Sequence, residues 1–360
     1  MSLAGLKRCR AALDTLPPFC YNARWKEGFF MRIFVDAMGG DNAPQAPVEG
    51  SIEALRRFPE LEISLAGDLK QVEPLLTGCD DVRQRITLVD APEVITNNES
   101  PVMGIRTKKN SAHVIGMLQV KAGEADGFVS CGSTGATLAG GMFRLGRVPG
   151  IERPALAPIL PNGKRGALLI DCGANVDCKP EYLAQFGLMG HAYMRCVRGL
   201  DNPRVGLLNI GAEAEKGNQL VKDAYPLLEQ TPVRFVGNVE GRDVAADLAD
   251  VIVADGFAGN LVLKSMEGTA AMLLGMMKEE LMASTRSKIG ALLAKPAFKK
   301  LKKRMDYTEV GGAPLLGVKG AVVKAHGSSN AHAIACAIRQ AVNMVDRRLV
   351  AEITAKLDQQ

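Results

Sequence analysis

Lys216, Asn260, Lys264 and His326 are the side chains of this chain best suited to steadying an anion or moving a proton. Each lies close to a glycine, just past an apolar run. Lys216 stands at the start of a helical pattern, where the helix dipole mildly opposes a cation, so its presence there points to an anion that answers it. Asn260 and Lys264 are spaced i and i+4, which puts both on one face of a helix. His326 adjoins Gly327, Ser328 and Ser329 and is a candidate general acid. In Gly132-Ser133-Thr134-Gly135, amides at a helix start and two hydroxyls would cradle a phosphate. Asn175 and Lys179 precede another helix. Taken singly, each also fits a tight turn, a helix cap, a solvated lysine or a hydrogen-bonded structural histidine.

What positions them is a recurring pattern. Six apolar runs stop at clusters of glycine and small polar residues: RIFVDAMGGDN (32–42), GFVSCGSTGA (127–136), ALLIDCGANVD (167–177), VGLLNIGAEAEKG (205–217), DVIVADGFAGN (250–260) and VVKAHGSSNAH (322–332). Each predicts a buried parallel strand emptying into a loop, and open α/β sheets bind ligands beyond the carboxyl ends of their strands. The six loops are therefore expected to converge on one site.

The first half of the chain alternates strand and helix, with helices predicted at 46–57, 107–122 and 134–145. RPALAPILPNGKRGALLID (153–171) predicts a hairpin turning at Pro161-Asn162-Gly163. Helices at 180–198 and 217–229 and strands at 204–210, 232–236 and 250–254 resume the alternation. Residues 259–306 are helical in pattern, and a strand at 321–325 feeds a helix over 329–356. The expected architecture is a mostly parallel sheet covered by helices on both faces, a three-layer α/β/α fold. Residues 31–360 are expected to form a single α/β catalytic domain with a helical excursion at about 265–310. Residues 1–30 are expected to lie outside it.

A hydrophobic content of 47% with 23% charged residues is that of a globular enzyme. No apolar stretch reaches the roughly 20 residues that cross a bilayer. The eight cysteines form no CxxC pair, which argues for reduced cytoplasmic thiols. Cys131, Cys172 and Cys178 touch candidate loops, and small buried filler is the better reading of them. Four histidines without HExxH give a dedicated metal site little support, so no metal and no cofactor are expected. No GxSxG elbow marks a hydrolase nucleophile. The net charge of +5 is unevenly spread: KPAFKKLKKR (295–304) holds six bases and no acid. A local patch of this kind speaks of a partner.

In order and with matching gaps, the motifs resemble the acyl-ACP:phosphate acyltransferase (PlsX) family of bacterial phospholipid synthesis. They are VDAMGGD (35–41), RTKKNSA (106–112), SCGSTGA (130–136), RPALAPILP (153–161), DCGANVDCKPEYLAQFGLMG (171–190), LLNIGAEAEKGN (207–218), GNVEGRD (237–243), DGFAGNLVLKSMEG (255–268) and GAPLLGVKGAVVKAHGSSNAHA (312–333). Ser133 stands where the family typically has Asn, and Asn330-Ala331-His332 where Asp-Ser-Asn is usual. The resemblance implies that inorganic phosphate displaces acyl carrier protein from a long-chain acyl thioester, giving acyl phosphate. It also implies a homodimer of isocitrate/isopropylmalate dehydrogenase-like fold, acting with a membrane glycerol-3-phosphate acyltransferase.

On that chemistry Gly132, Ser133, Thr134 and Gly135 hold phosphate. Lys216, Asn260 and Lys264 neutralise phosphate or oxyanion, Asn175 and Lys179 polarise the thioester, and His326 supplies a proton. Leu292, Leu293 and Phe298 beside Lys299, Lys300, Lys302, Lys303 and Arg304 form an apolar tip with a basic cluster. Such a tip suits an anionic membrane surface, acyl carrier protein or a dimer partner, with no nucleic acid expected. The expected location is cytoplasmic and peripherally membrane-associated. The rivals are a phosphate acetyltransferase-like enzyme on small acyl-CoA and a non-catalytic membrane scaffold for lipid enzymes.

Overall fold

The computed structural model describes residues 30–162, 165–305 and 311–358, the side chains of 299–305 excepted. The expected extension before Met31 and the basic side chains Lys299, Lys300, Lys302, Lys303 and Arg304 lie outside the described residues. Uninterrupted runs of Val, Ile, Leu and Phe become buried parallel strands, as runs covered on both faces should. β1 (Met31–Asp36), β2 (Leu61–Gly67), β3 (Ile86–Asp90), β4 (Gly127–Ser130) and β12 (Ala321–Lys324) pair in parallel, in the order β3-β2-β1-β4-β12. β11 (Ala313–Leu316) and then β5 (Ala155–Leu156) extend this sheet, each antiparallel to its neighbour.

A second sheet holds the rest. β6 (Ile159–Leu160), β7 (Ala167–Ile170), β10 (Val251–Val253), β8 (Arg204–Asn209) and β9 (Arg234–Glu240) follow in that order, parallel except for β6. The strands expected to share one sheet are thus divided between two. The apolar pattern marks a strand as buried, but its partner is chosen by contacts distant in sequence. RPALAPILP, read as one strand, is split by Pro158, which has no N–H for a ladder. Leu156 pairs with β11 in one sheet and Ile159 with β7 in the other.

The helices are α1 (Gln45–Arg57), the short α2 (Leu69–Val72), α3 (Pro101–Thr107), α4 (Ala112–Ala122), α5 (Thr134–Gly140), α6 (Pro180–Cys196), α7 (Gln219–Glu229), α8 (Gly256–Met282), α9 (Thr285–Met305), α10 (Ala331–Asp346) and α11 (Leu349–Leu357). Two of these boundaries correct the sequence reading. The helix expected over 107–122 starts only at Ala112, because Ser111 turns extended and caps α4 through its Oγ, which accepts the Val114 N–H at 3.4 Å. The helix expected over 329–356 breaks at Arg348, whose φ of 52° is left-handed. β11 went unseen, its four residues lying between glycines and including Pro314.

Each sheet has its own core. Phe34 and Phe128 stack at 6.0 Å between centroids and join Met117, Leu145 and Val322 under the first. Leu169, Val239 and Ile252 pack under the second, covered by Val262, Leu263 and Met266 from the base of α8. Beyond that base the excursion is largely uncovered: Met272, Met276, Ile289 and Leu292 are each more than half exposed, and Leu293 is 79% exposed. Among the described residues no helix is long and apolar enough to cross a membrane.

Candidate active site

The parallel strands of the first sheet end in loops that interlock. Asp36 closes β1 and is buried; its Oδ2 accepts the Ser130 hydroxyl at 2.7 Å, and its Oδ1 accepts the Met38 N–H at 3.0 Å. Ser130 Oγ in turn accepts the Gly132 N–H at 2.9 Å. The loop after β12 joins through Asp41 N–H to Gly327 O at 2.8 Å and through Asn42, whose amide donates to the Ser328 and Ser329 carbonyls. Lys324 is buried beneath these loops and donates to the Cys131 and Ala325 carbonyls, tying the loop after β4 to the loop after β12. Burial lowers its pKa, while Asp36 and Asp41 oppose that shift.

His113 completes this interior. Its Nε2 lies 3.2 Å from Thr137 Oγ1 and 3.4 Å from Ser130 Oγ. The Ser130 proton is committed to Asp36 and the Thr137 proton to Ser133 O at 3.1 Å, so Nε2 carries the hydrogen and donates. Burial holds the imidazole below its ordinary pKa, which keeps it neutral.

These bonds sort the expected phosphate loop. The Gly132 N–H is spent on Ser130. Ser133 is buried and caps α5, its Oγ accepting the Ala136 N–H at 3.3 Å, and the Thr134 side chain is exposed. The amides of Thr134 and Gly135, in the first turn of α5, remain for a ligand. In the stretch 106–111 the partners shown lie within the protein. Lys108 pairs with Glu99 at 2.8 Å, and the Asn110 N–H donates to Glu93.

In the second sheet, Asp171 follows β7 and is fully buried. Its carboxylate accepts N–H groups from Leu156 (2.8 Å), Ala174 (3.3 Å) and Asn175 (2.6 Å), and the Asn175 side-chain amide at 3.0 Å. Burial nevertheless pushes its pKa up to about 6. Asn175 also donates to the Pro154 carbonyl at 2.8 Å, so its amide is turned inward. Lys179, expected to act beside it, instead has its Nζ 6.0 Å from the Tyr182 ring centroid.

Asn260 and Lys264 do share a face of α8. Asp255 caps that helix, accepting the Ala258 N–H at 2.8 Å. Gly259 lets it press against β7: a Cβ there would lie 1.9 Å from Asp171 O. Asn260 stands beside Gly173, where a Cβ would lie 3.7 Å from the Asn260 amide carbon. Lys264 is exposed and bonds Glu267 at 2.7 Å. The charges of Lys264 and Glu267 reach both His326 after β12 and Cys172 after β7, so α8 lies between the loop clusters of the two sheets.

Lys216 sits exposed in the loop after β8, next to β10 in the sheet. Two buried or half-buried amides clamp that loop: Asn209 Nδ2 donates to Lys216 O at 3.0 Å and Asn238 Nδ2 to Glu213 O at 2.8 Å. At His326 the Ser328 N–H donates to Nδ1 at 3.2 Å, which leaves the proton of a neutral ring on Nε2. Burial, then Lys264, lowers its pKa. Burial pushes the Cys131 and Cys178 thiols up to about 12 and Cys172 well above its ordinary value, which disfavours a thiolate nucleophile.

Sequence reasoning assigned no role to Asp36, His113, Ser130, Asp171 or Lys324. The available signal was a charged or hydroxyl residue closing an otherwise apolar run, as in IFVD, GFVS, LLID and VVK.

The model of the family described as fatty acid synthesis protein matches residues 31–352, and with it the whole set of loops. The chain belongs to that family. Relatives named phosphate acyltransferase include one from Shouchella clausii, 49% identical over 91% of this chain and 99% of its own length. Another, from Bacillus cereus, is 48% identical over 92% of this chain and 99% of its own. The resemblance drawn from the ordered motifs is thereby established. Among solved structures, a phosphotransacetylase from Streptococcus pyogenes aligns with a TM-score of 0.59 at 19% identity, covering 88% of this chain and 94% of its own. The EutD phosphotransacetylase from Staphylococcus aureus aligns at 0.56 and 18%, covering 90% and 94%. These two share the α/β fold.

Proposed function

We propose that this protein is a phosphate acyltransferase that moves a long-chain acyl group from acyl carrier protein to inorganic phosphate, for use in phospholipid synthesis. The observation that carries the reading is a site supplied with anion donors whose neighbouring thiols, Cys131, Cys172 and Cys178, are held protonated by burial. Phosphate dianion attacks by itself, so the protein has only to orient it, steady the tetrahedral oxyanion and help the thiolate leave.

Phosphate lies on the Thr134 and Gly135 amides and the Ser133 and Thr134 hydroxyls. Gly132 shapes the loop, since its N–H is taken. Asn260 donates to the oxyanion, and Lys264 and Lys216 supply positive charge. His326, neutral with its proton on Nε2, hands that proton to the departing sulfur. Asn175 becomes a positioning residue, because its amide holds Asp171 and Pro154. Residues 31–360 act as one catalytic unit.

The uncovered excursion has two parts in this reading. Its stem, with Met272, Leu273 and Met276, meets a second copy of the chain. Its tip, with Ile289, Leu292 and Leu293, rests on an anionic bilayer beside the basic cluster, close to the membrane acyltransferase that consumes acyl phosphate.

Hydroxylamine trapping tests the reaction. Acyl hydroxamate in excess of the direct reaction of thioester with hydroxylamine is expected from acyl carrier protein thioester only when enzyme and phosphate are both present, with no such excess from acetyl-CoA. Equal product without phosphate would overturn the assignment, and preference for acetyl-CoA would favour the small-substrate rival. For the tip, Leu293→Asp is expected to lose liposome flotation while keeping its turnover in solution.

A further inference from the structure

A cavity of about 420 Å³ opens between the end of the α5 region and the start of α6, lined by Met142, Phe143, Arg147, Glu152, Arg153 and Tyr182. Its charge is lopsided. The Arg153 guanidinium carbon and Lys179 Nζ each lie 6.0 Å from the centroid of the same Tyr182 ring. Arg147 donates to the Glu152 main-chain carbonyl. Among the described residues none of these three cations has a carboxylate partner, and the only carboxylate in the lining is that of Glu152. The lining is also apolar on one side, where Phe143 is 61% exposed.

A free inorganic anion is poorly matched to such a place. It would leave Phe143 in water and would meet cations spread around a ring rather than a nest of N–H groups. A protein surface that carries carboxylates around an apolar patch satisfies both features, since arginine and aromatic side chains are the usual anchors of a protein interface. The cavity is also bonded to the candidate active site. Arg153 adjoins Pro154, whose carbonyl accepts the Asn175 amide, and the Leu156 N–H donates to Asp171. A partner seated on Arg153 and Phe143 therefore stands next to the loop that faces Asn260.

We infer that this cavity docks the acidic face of the protein that carries the acyl thioester. The inference rests on the proposed transfer from a carrier protein, and it adds the surface that recognises it. Cations around the cavity steer the carrier by its charge, and Phe143 takes the apolar centre of the contact.

The test uses the full chain and two variants, Arg147→Glu and Phe143→Ser, each first checked for unchanged thermal unfolding. Kinetics are read with acyl carrier protein thioester and with acyl-pantetheine, which has no protein to dock. The expected result is a rise of about tenfold or more in KM for the carrier substrate with Arg147→Glu, a flatter dependence on salt, and unchanged kinetics with acyl-pantetheine. Calorimetric titration of carrier protein without its acyl group reads docking apart from turnover and is expected to weaken in parallel. Unchanged KM for the carrier, or equal loss with both substrates, would overturn the inference. So would a change of oligomeric state in light scattering, which would give the cavity to a second copy of the chain. A wild type that bound carrier but formed no acyl phosphate would sink the acyl-transfer reading and leave the docking surface standing.

Discussion

The loop ends of the two sheets are built from the same kinds of residue and treat them in opposite ways. On the first sheet Asp36, Ser130, His113 and Lys324 are buried and bonded to one another or to carbonyls. On the second, Lys216, Asn260 and Lys264 stand in solvent, and a second row of buried Asn209 and Asp171 and half-buried Asn238 supports the loops beneath them. Polar groups whose hydrogen-bonding capacity is filled within the protein hold geometry, whereas those left to solvent can meet a reactant. On the proposed reading the first cluster is a mould and the second a set of tools.

The sharpest way to break that division is to damage the contact on which the tools are mounted. Gly259→Ala drives a Cβ toward Asp171 O and is expected to cost about 3–5 kcal/mol of stability, read in a denaturant titration. A variant of normal stability would mean that α8 can move away from β7. Next in size, Asn260→Ala and Lys216→Ala should each lower turnover roughly 100- to 1,000-fold while leaving the unfolding midpoint in place. Retention of more than half the normal turnover by either variant would remove that residue from the site.

Ser130→Ala should behave as damage to a mould. It strands the Gly132 N–H and one acceptor of Asp36, costs about 1–3 kcal/mol, and raises KM for phosphate with little change in KM for the thioester. A change confined to the thioester would reverse the assignment of the two clusters. The smallest effect belongs to His191, buried on α6 with its Nδ1 unpartnered among the described residues and its pKa lowered by burial to about 4. Its folded pKa is below the unfolded value, so stability should rise as pH climbs from about 4 to about 6.5. His191→Gln should flatten that slope by of order 1 kcal/mol. An unchanged slope would assign it to other groups.

The same division explains what could be read from the sequence. Lys216, Asn260, Lys264 and His326 stood out as polar residues close to a glycine just past an apolar run, and the runs themselves placed β1, β4, β8, β10 and β12 within a few residues. Asp36 and Asp171 were visible as letters but not as buried acceptors, because beside their local partners each takes one from another stretch of chain: Ser130 for one, Leu156 for the other. Sheet membership was hidden for the same reason. Asn175 and Lys179 were legible as polar residues before a helix, and α6 does start just after them, at Pro180. Their place in the loop could not tell that Asn175 is buried and Lys179 exposed.

α8 has 27 residues, and at 1.5 Å per residue it is a rod of roughly 40 Å. Its first turns present Asn260 and Lys264 and are wedged against β7 at Gly259, whereas its last turns are exposed and lead into α9. A rod clamped at one end is a lever. On the proposed reading of Asn260, a push on its distant end would arrive at that residue as a small rotation, and the seating of the far end would then bear on how the near one is aimed.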